Sequence, residues 1–408
     1  MGAGPAGSIA ALVLARGGAR VALVDKATFP RDKACGDLLG PRGVQVLDDL
    51  GVTVAGSHTV GDMVVVGPTG RRVSLPSAPG LTYPGYGMAI PRAELDTFIR
   101  DEALAAGAVS FQGQAVQPLH GERGLEGFEL DNGVRLRGDN LIGADGATSR
   151  VAEAAGLVDH HQVMWGFAVR SYIDQPVAVP HIVLWEHSPR RALPGYGWLF
   201  PGPQGHANVG LGVGMLADRT AAALASKLLP QFLAHLRSIG LLAASPTPTS
   251  RRGGWLKMGM VGTRPAAAGV ILVGDAAGLV NPLQGEGISQ ALTSGRAAAH
   301  AILASPGTAT EIYTAQLAAD HLPYHRIAAA AQAMALPHPT AIAVIERALT
   351  LPGVGHALAS GWAIFWNELL EGAPPSRGRT TAAVITGIGR AATTKTTIRR
   401  RINDVLGQ

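Results

Sequence analysis

Gly2, Gly4 and Gly7 form a G-x-G-x-x-G turn, a spacing suited to binding phosphate. One glycine permits a tight turn, one lets backbone approach a pyrophosphate, and one lets a helix pack on a strand. Pro5 and Ala6 lie inside the turn and open an apolar-periodic stretch to Arg16, predicting a helix whose N-terminal N–H groups and dipole face an anion. Asp25 closes the β-branched run "GARVALVD", about 20 residues on, where an acid accepts hydrogen bonds from ribose hydroxyls, and Lys26 follows it. Together these residues predict an adenine dinucleotide site.

Other candidate groups lie far along the chain. "LIGADGATSR" places Asp145 and Gly146 after an apolar strand, and "VILVGDAAGLVNPLQGEGI" places Gly274 and Asp275 after another. The stretch holding Pro282, Gly285, Gly287 and Ile288 leads into an Ala-rich helix beginning at about Gly285, whose dipole favours negative charge in front of it. Glu286 reads there either as a proton carrier or as a first-turn acid stabilising the helix. Arg92, in "IPRAELD", reads either as a cofactor contact or as the ion-pair partner of Asp96. Cys35 is the one cysteine, which excludes a disulfide framework and any C-x-x-C metal pair and points to a reducing cytoplasm. His160 and His161 are adjacent with no ligand at useful spacing, so no metal site is expected, and no G-x-S-x-G elbow occurs.

Taken in order, the glycine turn, the Asp145–Gly146 pair and the Gly274–Asp275 pair resemble the flavoprotein hydroxylase superfamily. That resemblance implies FAD as cofactor, with Asp275 on the ribityl chain, Arg92 near the cofactor, and the helix near Gly285 facing the flavin's pyrimidine edge. Within the superfamily, "FPRDKACGDLLGPRGVQVL" resembles the P-x-x-K-x-C-G segment of the geranylgeranyl reductase family, matched by Pro30, Lys33, Cys35 and Gly36. "PGYGWLFPGPQGHANVGLG" is similar to that family's Y-x-W-x-F-P segment and following G-x-G, through Tyr196, Trp198, Phe200, Pro201, Gly210 and Gly212. Flavin halogenases carry W-x-W-x-I-P and a catalytic lysine instead, so the reductases match better.

The resemblance implies an enzyme that saturates isoprenoid C=C bonds by hydride transfer from reduced flavin N5. Its substrate would be a geranylgeranyl or polyprenyl chain such as the menaquinone side chain. Cys35, Tyr196 and Trp198 are the candidate catalytic residues, and Cys35 and Gly36 also approach the flavin. Without the family, Tyr196 and Trp198 read as sheet core and Cys35 as a small buried hydrophobe. No second glycine fingerprint marks a nicotinamide domain, so NAD(P)H or another electron carrier serves as reductant. Two alternatives remain open: a single-component FAD monooxygenase hydroxylating a small aromatic, and a truncated flavin-binding protein without activity.

The elements that must position these residues read as an α/β chain. A doubly wound, Rossmann-like FAD-binding domain spans 1–75, 88–160 and 255–305. An inserted antiparallel-sheet substrate domain spans 76–87 and 161–254, and a helical C-terminal region with a basic tail spans 306–408. The strand that should precede Gly2 is missing, giving the expectation of a truncated first strand and a true start upstream of Met1. With 408 residues, 47% hydrophobic and 15% charged, the chain is globular rather than disordered. Of the net charge of +5, the tail from Ser376 carries seven basic residues against Asp404 alone. No aromatic residue interleaves them, so anionic lipid or an acidic partner fits better than nucleic acid. The uncharged run Ile327 to Ile345 is interrupted by Pro337 and Pro339 and makes a poor membrane span. A cytoplasmic protein, peripheral on the inner face of the membrane, is compatible with all of this. Trp362, Phe365 and Trp366 share a helix face that reads as core, as a tunnel wall or as a membrane-dipping surface.

Overall fold

The computed structural model describes residues 1–188, 191–215, 219–220, 222–244, 247–352 and 355–394. The β-branched run forms the strand Ala22–Asp25, which pairs in parallel with Val109–Gln112. Between the glycine turn and this strand runs the helix Pro5–Arg16, with proline in its first turn and Gly17–Gly18 ending it. Leu141–Gly143 pairs in parallel with Val270–Leu272, beside the short antiparallel strand Ala266–Ala267. Met1 and Gly2 run between the two parallel pairs: Gly2 N–H donates to Val24 O at 2.7 Å and Ala144 N–H donates to Met1 O at 2.7 Å.

Helices Pro5–Arg16, Arg92–Ala105 and Ile288–Ala304 cover this layer with Ile9, Leu12, Leu95, Ile99 and Leu292 fully buried. Close approach of the first and third helices requires Gly295, where a Cβ would lie 2.2 Å from Ala6 O. The strands therefore end together beneath one cluster of helix N-termini, the usual place for a ligand in such sheets.

A second layer is a seven-stranded sheet in the order Thr249–Met258, Met164–Ile173, Ala207–Met215, Gly195–Pro201, His181–Val183, Met63–Val66, Arg72–Leu75. The last two strands differ from the sequence reading, which placed residues 1–75 with the dinucleotide layer. Val64, Val65 and Val66 pair in parallel with His181, Ile182 and Val183, a long-range contact that no local pattern encodes. A second difference is the helix Ala222–Ser238 within a stretch read as sheet. Leu228, Leu229, Phe232, Leu233 and Leu236 bury one face of it at helical spacing.

Beyond the third helix come Ala309–Asp320, Leu322–Ala335, Pro339–Ala348, Gly355–Trp366 and Arg377–Thr394. No single helix among the described residues is long and apolar enough to cross a membrane; Leu322–Ala335 and Pro339–Ala348 reach that length only as a pair bent by 117°. Of the basic tail, Arg377, Arg379 and Arg390 lie on the last helix, while Lys395, Arg399, Arg400 and Arg401 fall outside the described residues.

Candidate functional site

A single cavity of about 1400 Å³ runs from the glycine turn to the C-terminal helices. Its wall includes Gly2, Gly4, Pro5, Ala6, Asp25, Lys26, Cys35, Gly36, Arg92, Asp145, Gly146, Tyr196, Trp198, Asp275, Pro282, Gly285, Gly287 and Ile288. Gly7 and Gly274 stand behind it.

The three glycines of the turn have separate duties. Gly2 adopts φ +97°, and a Cβ there would sit 2.2 Å from Ala144 O. At Gly7 a Cβ would meet Gly2 O at 1.9 Å, so the first helix cannot pack on the turn with any other residue. A Cβ at Gly4 would meet only the Arg31 guanidinium, at 3.3 Å, leaving its backbone open to the cavity. No side chain caps the N-terminus of the Pro5–Arg16 helix. Its free N–H groups and dipole therefore face the cavity, a fit for the pyrophosphate of a dinucleotide.

The acids divide similarly. Asp25 accepts from Ala3 N–H through Oδ2 and from Ala27 N–H through Oδ1, both at 2.8 Å, which leaves lone pairs free for ribose hydroxyls. Asp145 accepts from Ser149 Oγ–H, Arg150 N–H and Val151 N–H. Its carboxylate is thereby committed to the turn that starts the helix Arg150–Ala154, with Gly146 at φ +84° beside it. Asp275 sits on a short 3₁₀ turn, half-buried, with Lys33 Nζ 3.4 Å from Oδ2. Behind it the buried Gly274 N–H donates to Ser294 Oγ at 2.9 Å.

Arg92 is buried and forks onto Asp96, Nε to Oδ1 at 2.7 Å and Nη2 to Oδ2 at 2.8 Å, while Arg31 Nη2 lies 3.0 Å from the same Oδ2. The ion-pair reading of Arg92 holds, on a side chain that also borders the cavity. Glu286 Oε1 accepts the Ser289 N–H at 2.7 Å, which makes it a cap for the Ile288–Ala304 helix. Burial raises its carboxyl above the ordinary range.

Cys35, Tyr196 and Trp198 converge on the middle of the cavity. Burial pushes the Cys35 thiol up, against the pull of Arg92, so it stays protonated. Tyr196 donates its hydroxyl to Gln284 O at 2.6 Å and meets Trp366 edge to face at 5.2 Å. Trp198 stacks on Phe200 at 6.1 Å, and its Nε1–H donates to Asn208 Oδ1 at 2.9 Å. A Cβ at Gly36 would come within 3.0 Å of the Phe200 ring, so the Cys35–Gly36 backbone lies directly on this aromatic ladder.

Three polar residues that the sequence reading passed over hold this group in place. Asp37, buried at φ +58°, accepts from Tyr172 O–H, from Asn208 Nδ2 at 2.8 Å and from Arg92 N–H at 3.2 Å. Asn208 Nδ2 also donates to Cys35 O at 2.8 Å. Burial raises the Asp37 carboxyl to about 6 despite the donors from Tyr172 and Asn208. An asparagine in the otherwise apolar run "ANVGLGVGM" was the one local signal of this network. Lys257, also missed, is buried behind Asp145 and Asp275, and burial pulls its ammonium down to about 8 although both acids oppose the change.

The far end of the cavity is lined by Met63, Leu75, Ile182, Leu283, Ala357, Ser360, Ala363 and Ile364. On the Gly355–Trp366 helix, His356, Ala357, Ser360, Ala363 and Ile364 line the cavity. Phe365 and Trp366 are buried in the packing behind, as core, while Trp362 is half-buried against the same clusters. At the surface, His160 Nε2 lies 3.4 Å from Glu153 Oε1.

A nucleotide-binding turn, a helix dipole and an apolar extension in one cavity define a flavoprotein oxidoreductase. A family model described as "FAD binding domain" matches residues 1–311, and the chain belongs to that family. Over 310 residues it is 39% identical to the menaquinone reductase of Mycolicibacterium smegmatis, covering 73% of this chain and 74% of the relative. Digeranylgeranylglycerophospholipid reductase 2 of Methanopyrus kandleri is 30% identical over 304 residues, 73% of this chain and 74% of that protein. Among solved structures, a geranylgeranyl bacteriochlorophyll reductase-like protein from Thermoplasma acidophilum superposes with a TM-score of 0.69 at 21% identity, over 99% of this chain and 97% of that one. A halogenase solved with FAD shares the fold at a TM-score of 0.67 and 15% identity, covering 99% of this chain and 93% of its own. These relatives include the isoprenoid reductases that the Cys35 and Tyr196–Trp198 segments resemble, and FAD is the cofactor of the class.

Proposed function

We propose that this chain is an FAD-dependent reductase that saturates a C=C bond in an isoprenoid chain, the side chain of a lipoquinone such as menaquinone or a geranylgeranyl group. The observation that carries this reading is the continuity of the cavity from the glycine turn, past Cys35 and the Tyr196–Trp198 pair, to an end walled largely by apolar side chains, where His356 and Arg377 are the ionisable ones from the C-terminal helices. A polyisoprenoid offers large apolar area and no hydrogen bonds, and such a wall matches it.

In the proposed arrangement Gly2, Gly4, Pro5, Ala6 and Gly7 hold the pyrophosphate, Asp25 with Lys26 the adenosine ribose, and Asp275 the ribityl chain. Gly285, Gly287 and Ile288 present N–H groups to the isoalloxazine ring, with Arg92, Asp145, Gly146, Gly274 and Pro282 shaping the site around it. Reduced FAD bound there supplies the hydride. NAD(P)H or another electron carrier restores it. Trp198 and Tyr196 keep water from the alkene and fix its face, because their polar atoms are already engaged with Asn208 and Gln284. Cys35 offers the neighbouring carbon a proton, since burial keeps its thiol neutral. The substrate is drawn from the inner face of the membrane, the positive charge of the chain's basic tail favouring anionic lipid.

The test uses purified holoenzyme, reduced flavin and polyprenyl quinone or geranylgeranyl substrates under anaerobic conditions, with lipids read by mass spectrometry. A product heavier by two hydrogens is expected. No such product from any isoprenoid, or oxygen uptake in step with a hydroxylated aromatic product, overturns the reading.

A further inference from the structure

We infer that the chain carries a binding site for a zinc-type divalent cation on His321, His325 and Glu368, one layer behind the cavity wall. His321 occupies the N-cap position of the helix Leu322–Ala335 and His325 lies one turn on, so their rings share a face, 6.0 Å apart. Glu368 follows the Gly355–Trp366 helix at φ +56°, a backbone conformation that carries its carboxylate onto the two imidazoles. His321 Nδ1 lies 3.7 Å from Glu368 Oε1, and one ligand atom from each residue falls within 4.8 Å of the others. All three side chains are buried, His325 completely.

The second observation is independent of this convergence. Among the described residues, fourteen buried side-chain polar atoms lack a hydrogen-bond partner, and five belong to this cluster: His321 Nδ1, both ring nitrogens of His325 and both oxygens of Glu368. Buried polar atoms are ordinarily satisfied, so five orphans converging on one point mark a missing binding partner. Arg42 Nη1 stands 3.2 Å from Glu368 Oε2 and offsets its charge, but it donates nothing to the imidazoles.

Two imidazoles and one carboxylate form a donor set for zinc or a neighbouring transition metal, whereas magnesium and calcium call for oxygen donors. Asn367 and Leu369, flanking Glu368, border the cavity, as does Pro41 beside Arg42. The cation would therefore tie the Leu322–Ala335 helix to the segment that follows the Gly355–Trp366 helix and stiffen the substrate end of the cavity. Its contribution is structural, because none of its three ligands reaches the cavity.

The experiment takes the full-length holoenzyme, prepared without a polyhistidine tag, incubates it with zinc or cobalt(II), and removes free metal by gel filtration. Elemental analysis should find one cation per chain, and the cobalt form should show the visible bands of low-coordinate nitrogen and oxygen ligation. His325→Ala should lose the cation. Glu368→Gln, close to isosteric, guards against a folding failure in the first variant and should also lose it, with flavin content and circular dichroism unchanged. A wild-type chain that retains no metal after loading overturns the inference, as does metal binding that both variants leave intact.

Discussion

The two ends of the cavity are built on different physical terms. At the glycine turn, positions are set by backbone touching backbone: Gly7 against Gly2, Gly2 against Ala144, Asp25 against Ala3. At the C-terminal end the wall is assembled from side chains of distant segments, Met63 and Leu75 from one, Ile182 from another, Ser360 and Ile364 from a third. The first end tolerates almost no change and serves one cofactor. The second can be reshaped residue by residue. The family match stops at residue 311, before the part of that wall that Ser360 and Ile364 supply.

Substitution at the two ends should separate these regimes. The largest effect is expected for Gly7→Ala, whose Cβ would lie 1.9 Å from Gly2 O with only backbone available to move. Overpacking of this kind costs about 3 kcal/mol, and the purified protein should be colourless, read by flavin absorbance. Retention of stoichiometric FAD would contradict the rigid-turn account.

Next comes Trp198→Phe, which leaves Asn208 Oδ1 buried without its indole donor at 2.9 Å. A loss of about 2 kcal/mol follows in denaturant unfolding, together with a lower kcat on isoprenoid substrate. An unchanged midpoint would mean that the Asn208 network does not hold the ladder.

At the far end, Ser360→Trp should fill the apolar extension. FAD content and melting temperature stay near wild type while kcat/KM for a long isoprenoid falls about tenfold, equivalent to about 1.4 kcal/mol. A shorter prenyl substrate should recover part of the loss. Equal loss for all chain lengths would place the isoprenoid elsewhere.

The smallest effect concerns pH. The Asp37 carboxyl lies at about 6 in the folded protein against 3.8 ordinarily, so the folded chain holds a proton that the unfolded chain releases first. This raised value makes its contribution complete below about 4 and lost as pH rises through about 6. Asp37→Asn should remove that decline from urea midpoints measured between pH 4 and 7, at a pH-independent cost from the altered hydrogen bond to Arg92 N–H.

The site was legible in the sequence wherever short segments impose their own geometry. Gly2 to Gly7 and Asp25 signal through spacing, because a turn or a strand end is decided within a few residues, whereas Cys35–Gly36, Tyr196–Trp198 and Asp275 stood out only through a family resemblance. Asp37 and Lys257 were not legible. A buried acid or lysine has no local pattern to distinguish it from a surface one, and its altered proton affinity comes from neighbours far along the chain. The Met63–Val66 strand was misplaced for the same reason, since its partner lies at His181–Val183.

By itself the sequence determined the dinucleotide turn, the order of the three acid motifs and the close spacing of Tyr196 and Trp198. Each of these depends on φ/ψ preference or side-chain type at close spacing, which the chain carries locally. Only the tertiary structure decided that Asp145 caps its own turn, that Arg92 forks onto Asp96 beside the cavity, and that Phe365 and Trp366 pack as core. It alone brought His321 and His325 against Glu368, because burial, cavity shape and the meeting of polar groups from separate helices are properties of packing, set by which surfaces the whole chain removes from water.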